Sequence, residues 1–238
     1  MTTANPKLAR PKPGLPPVTQ ALAWLLWLWI AAMIVGALFY APPAADFSSK
    51  YSSRILFFHV PAAWASFLAF LAAGVWSLLY LARGRSRRHD AAAAIAVELG
   101  LVFCVLATLT GSIWSRLEWG AFWNWDPRQT SIVLAMIFYA AYLVLRSAIE
   151  DDHLRARLAA SYAMLGLVIS PFLYFVLPRL TLSLHPQPVV NSGGAVDMEQ
   201  RMLIVMLSGA VGFTALFFWM HNVALRTRLL AVRNERDA

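Results

Sequence analysis

The sequence predicts an all-α fold with six membrane-spanning helices, and three observations carry that expectation. The 238-residue chain is 60% hydrophobic and only 13% charged. Apolar stretches of roughly 20 residues recur along it, each long enough to cross a hydrocarbon core of about 30 Å. Its basic residues cluster in the loops beside those stretches. An isolated apolar segment can satisfy its backbone in lipid only as a helix, which fixes the class.

The six spans are expected at about 21–40, 55–82, 92–114, 129–148, 158–178 and 202–222. Lys7, Arg10 and Lys12 ahead of the first span imitate a signal peptide. The apolar stretch Ala21–Tyr40 is longer than the roughly 7–15 residues of a signal core. An uncleaved span is therefore expected, despite the small residues Ala44 and Ala45. The second window is long, so its helix is expected to start outside the core or to tilt. Pro171 is expected to kink the fifth span and Pro178 to end it. Residues 1–20 and 223–238 read as tails around a 21–222 membrane domain, with no internal repeat and no soluble domain.

The net charge is +8. In a soluble protein this would suggest nucleic acid, but here it is a topology signal. Lys7, Arg10, Lys12, Arg83, Arg85, Arg87, Arg88, Arg146, Arg155, Arg157, Arg226, Arg228, Arg233 and Arg236 fall at the termini and the even-numbered loops, 14 of the 20 Lys and Arg. Lys50, Arg54, Arg116, Arg128, Arg179 and Arg201 fall on the other side. Both termini are therefore expected in the cytoplasm, with loops 41–54, 115–128 and 179–201 facing outward. The single cysteine, Cys104, lies in an apolar run, and no CxxC or CxxCH occurs. That excludes a dithiol oxidoreductase and a c-type cytochrome.

Topology sorts the five histidines. His89 and His153 fall in cytoplasmic loops, and His221 at the cytoplasmic end of the last span. Only His59, about one turn into the second span, and His185, in the loop after the fifth, lie outside. Two such histidines are a candidate pair of axial iron ligands, since neutral imidazole suits iron. The alternative is two interfacial polar residues that find water or a carbonyl.

The second outer loop bears on that choice. Trp114, Trp119, Phe122, Trp123 and Trp125 crowd into twelve residues. An interfacial aromatic belt is one reading. A flat apolar platform for a planar ligand is the other, with Trp119 and Trp123 on one face at i, i+4 if the segment is helical. Gly120 would then let the ligand approach the backbone. Asp126-Pro127-Arg128-Gln129 looks like a helix start, with N-cap, Pro at N1 and a capping-box Gln. Capping is favoured for Asp126 over acid–base chemistry. Arg128 is not favoured by the helix dipole at that position. An anionic neighbour would explain it, a ligand carboxylate or a lipid phosphate.

The segment Trp119-Gly120-Ala121-Phe122-Trp123-Asn124-Trp125-Asp126 matches every fixed position of Trp-Gly-x-x-Trp-x-Trp-Asp, the tryptophan-rich WWD signature of the heme-handling protein family. Within that family, the short length and six spans resemble the cytochrome c maturation C component, the heme exporter protein C type. The resemblance covers nearly the whole chain, including His-Val-Pro-Ala-Ala from His59. It departs where many members carry a Trp shortly before the second histidine, because Thr181, Leu182 and Ser183 stand there.

The resemblance implies that His59 and His185 ligate the iron of heme b. With heme as the ligand, the aromatic platform and the outward-facing arginines are expected to complete the site: Trp119, Gly120, Trp123, Trp125 and Asp126 around the macrocycle, with Arg128 and Arg54 near the propionates. The resemblance also implies presentation of heme at the periplasmic face of the bacterial inner membrane to a heme chaperone, the E component, during c-type cytochrome biogenesis. The A and B components of an ABC transporter and the small D subunit are the further implied partners. The implied role is handling and transfer rather than enzymatic catalysis. A membrane cytochrome b that carries electrons is the main alternative, but it would bury its ligands within spans. A heme transporter would need a polar path at mid-membrane. Glu98 is the main candidate for one, and is expected to be protonated or paired. A heme lyase would need a nucleophile or thiol pair, which this sequence lacks.

Overall fold

The computed structural model describes residues 17–44, 47–185 and 197–237. Lys7, Arg10, Lys12, Ala45 and Pro186 lie outside the described residues. Among the described residues the regular structure is helical throughout, and six segments are long and apolar enough to cross a membrane. The chain is a multi-pass membrane protein.

Helix α1 (Pro17–Val35) runs into a π-helical turn, Gly36–Tyr40. Helices α2 (Ser53–Ala82), α3 (Arg87–Trp119), α4 (Pro127–Ser147) and α5 (Asp152–Pro171) follow. A second π-helical turn, Phe172–Val176, joins α5 to the short α6 (Leu177–Leu180), and α7 spans Gln200–Asp237.

Several helices outrun their apolar windows. Polar caps extend them: the Ser86 hydroxyl accepts the Arg88 amide at α3, and Asp151 accepts the Leu154 amide at α5. α7 stays helical to Asp237, so the expected charged tail is the end of a helix. Pro178 does not end the fifth span as expected. It falls at the start of α6, where a missing N–H costs nothing, and the segment continues to Leu180. Pro171 precedes a π-helical turn, a local change of hydrogen-bond pattern.

Small residues let the helices pack closely. Ala65, Ala69 and Ala73 of α2 meet Ala96 of α3 and Ala159 and Ala163 of α5 in one buried cluster with Phe70, Tyr139 and Phe217. α2 is the hub, packing on α3, α5 and α7, whereas α1 leans mainly on α7. At the end opposite the tryptophan loop, Arg146 bonds Asp90 through both nitrogens (2.6 and 3.0 Å). Arg228 pairs with Glu98 at 2.9 Å, so Glu98 ties α3 to α7. His221 donates from Nε2 to the Ala92 carbonyl at 2.9 Å, and His89 stacks on Trp76.

Candidate functional site

At the other end of the bundle, α2, α3, α4 and the segment after α5 enclose a cavity of about 300 Å³. His59, His185, Trp114, Trp123 and Arg128 all line it. The two histidines singled out by topology thus share one chamber.

α3 holds the His59 ring. Nδ1 lies 2.9 Å from the Ala107 carbonyl, with the Thr110 hydroxyl at 3.3 Å. A carbonyl can only accept, so Nδ1 carries the proton and Nε2 keeps the lone pair. Gly111 makes this possible. A Cβ there would sit 2.6 Å from the His59 Cε1, so any larger residue displaces the ring.

The His185 ring is tied to Asp126. Its Nδ1 donates to the carboxylate at 2.7 Å. The same carboxylate accepts the Arg128 amide (2.9 Å), the Leu184 amide (2.7 Å) and the Ser183 hydroxyl (2.9 Å). Asp126 does cap α4 as the sequence suggested, and it also fastens the His185 loop. Burial pushes the His185 imidazolium down to about 4, against the pull of Asp126, with Arg128 adding repulsion. Burial alone would raise Asp126, but the Arg128 amide, the His185 ring, the Leu184 amide and the Ser183 hydroxyl together hold the carboxyl below its usual range. At neutral pH this is a neutral imidazole donating to a carboxylate, with Nε2 as the lone-pair nitrogen.

The aromatic residues divide by position. Trp114 is buried, and Trp119 meets His185 edge-on with centroids 4.9 Å apart. Trp123 lines the cavity, while Trp125 is 78% exposed and packs edge-on against Trp123. The expected helical face through Trp119 and Trp123 does not form. α3 stops at Trp119 because Gly120 takes the left-handed C-cap conformation (φ 78°). Gly120 thus ends a helix, and open space surrounds the position a Cβ would take.

Polar side chains brace the non-helical segment that follows. Asn124 and Gln129 both donate to the Ser115 hydroxyl (2.8 and 3.1 Å), and Gln129 accepts the Asn124 amide at 2.9 Å. Gln129 therefore reaches two residues beyond the N-cap, where a capping box would return to Asp126 itself.

The two arginines also divide. Arg54 donates to the carbonyls of Ala37 (2.5 Å) and Ala41 (2.6 Å), capping the end of the first span. Arg128 lines the cavity, its buried Nε has no hydrogen-bond partner among the described residues, and it feels the repulsion of Arg179. A buried, unpartnered donor beside a second cation suits an anionic group. Sequence reasoning misses Gly111, Trp114, Ser183 and Arg179 as site residues. Trp114 carries a signal as one of the four clustered Trp, and Arg179 as an outward-facing arginine.

Among the described residues no group of three His, Cys, Asp or Glu could hold an ion directly. Two imidazole lone pairs, an apolar aromatic wall and a buried cation instead suit a large apolar ligand with its own metal centre and an anionic edge. Residues 4–238 match the sequence profile of the family described as heme exporter protein C. The chain belongs to that family. It is 32% identical to the heme exporter protein C of Bradyrhizobium diazoefficiens over 228 residues, covering 95% of this chain and 85% of that one. The Rhodobacter capsulatus protein of the same description is 27% identical over 225 residues, 92% of each chain. That of Escherichia coli K12 is 32% identical over 167 residues, 67% of each.

Proposed function

We propose that this heme exporter C family member binds heme b between His59 and His185 at the outer face of the bacterial inner membrane. It presents that heme to a periplasmic chaperone, the E component, for covalent attachment in c-type cytochrome biogenesis. The observation that carries this reading is the pair of imidazoles on one cavity, each with its Nδ1 proton tied and its Nε2 lone pair available. Family membership supports the cargo.

The residues fit heme in three respects. Both nitrogens are in the neutral tautomer that ligates iron. Trp114 and Trp123 offer apolar surface to a macrocycle. Arg128 offers charge to propionates, whereas Arg179 is engaged with the Phe175 carbonyl at 2.6 Å. Arg54 stands second to Arg128 in that role, because its guanidinium is engaged with the carbonyls of Ala37 and Ala41. Bound heme would supply the vinyl group for attachment. The one cysteine, Cys104, is buried and can form no thiol pair, so the proposed contribution of this chain is orientation rather than bond making. ABC transporter components A and B and the small D subunit are the proposed membrane partners, and nucleic acid is not. The electron-carrier alternative fits less well, because His185 lies in a loop rather than within a span.

Gly111→Ala is expected to push the His59 ring off the Ala107 carbonyl, since 2.6 Å leaves no room for a methyl group. Heme per purified protein should fall roughly as for loss of an outer-shell partner, about 10–100-fold in affinity. Wild-type heme content and spectrum in this variant would remove His59 from the ligand set.

Reporter fusions at Arg85 and at the C-terminus are expected to read cytoplasmic, following the arginine clusters. A periplasmic readout from either would put the cavity on the wrong side of the membrane for a periplasmic chaperone.

A further inference from the structure

The two histidines are not held alike. His59 gives its Nδ1 proton to a neutral peptide carbonyl, that of Ala107. His185 gives its own to a carboxylate that is only 3% exposed. A carboxylate draws that proton more strongly, which leaves more electron density on the opposite ring nitrogen and makes the imidazole a more basic ligand. Capping α4 uses one bond of Asp126, to the Arg128 amide. Its other partners, Ser183, Leu184 and the His185 ring, all belong to the histidine loop. The donors from Arg128, Leu184 and Ser183 share the negative charge, so they keep the proton on His185 and moderate the pull.

We infer that Asp126 is a positioning residue that makes His185 the more electron-donating of the two axial imidazoles, and so lowers the reduction potential of heme bound between them. The inference rests on the two-histidine reading above. Stronger donation favours ferric over ferrous iron, because the ferric ion is the better electron acceptor. Ser183 acts with opposite sign. Its hydroxyl takes part of the Asp126 charge, so removing it strengthens the pull on His185 and lowers the potential further.

The experiment is a spectroelectrochemical titration of the full-length, heme-loaded protein as wild type, Asp126→Asn and Ser183→Ala, with ferric and ferrous heme affinities measured alongside. Asparagine can still accept from the Arg128 amide and from His185, but without the charge. Asp126→Asn is expected to weaken ferric heme about tenfold more than ferrous heme, which for a one-electron couple is a rise of about 59 mV. Ser183→Ala is expected to shift the potential downward. Equal weakening of both oxidation states in Asp126→Asn, with an unmoved potential, would mean a purely structural brace and overturns the inference. Should Asp126→Asn fail to assemble, Ser183→Ala decides: a fall supports the inference, and no change or a rise overturns it. A wild-type spectrum without two imidazole ligands would defeat the underlying reading first, and is thereby distinguished from failure of the Asp126 role alone.

Discussion

Replacing His185 with Ala is expected to reduce heme affinity by on the order of 100-fold or more, since loss of an outer-shell partner alone costs 10–100-fold. The change removes an axial donor and also leaves the Asp126 carboxylate buried without its ring partner. An unsatisfied buried acceptor costs about 1–3 kcal/mol, and more when charged, so the loop from Ser183 to His185 should loosen as well. His59→Ala should lose the other ligand with less collateral damage, because Ala107 is a helical carbonyl with its own α3 hydrogen bond. The two variants should therefore differ: both give altered optical spectra, but added imidazole should restore the wild-type spectrum better in His59→Ala. If both single variants keep the wild-type spectrum and heme content, the ligand assignment is wrong.

Much of the fold was legible in the sequence because one physical quantity dominates it. A bilayer demands a long apolar helix, and hydropathy reports that directly. The helix ends were less legible. Their extent depends on caps such as Ser86 and Asp151 beyond the apolar window, which hydropathy does not weigh. Charge asymmetry set His59 and His185 apart from His89, His153 and His221, and the structure places those two on one cavity. The supports were not legible. Asp126 looked like a helix cap because its near neighbours make it one, while its main partner lies 59 residues further along the chain. Gly111 gave no local signal, because the reason for it is a ring on another helix. The pairing of Trp119 and Trp123 on one helical face failed at Gly120. A glycine directly after an apolar helical run is itself a stop signal, and it stood in plain view.

That break in the helix sharpens what each tryptophan should do. Trp119 packs on the His185 ring, Trp123 lines the cavity, and Trp125 is exposed beside Trp123. Trp123→Ala should therefore act on the cargo directly. Losing one large aromatic contact should cost about 1–3 kcal/mol of heme binding, with axial ligation still fixing the iron. Covalent loading of the chaperone depends on where the vinyl group points, and a small misplacement of reacting atoms can cost about 100-fold in rate. Loading should therefore fall further than retention in Trp123→Ala. Trp125→Ala, at a position 78% exposed, should leave heme content near wild type and affect loading alone. The measurement is heme per purified protein beside the yield of covalent heme on the coexpressed chaperone. A Trp119/Trp123/Trp125 triple Ala variant that loads the chaperone normally would reduce the segment to an interfacial aromatic belt.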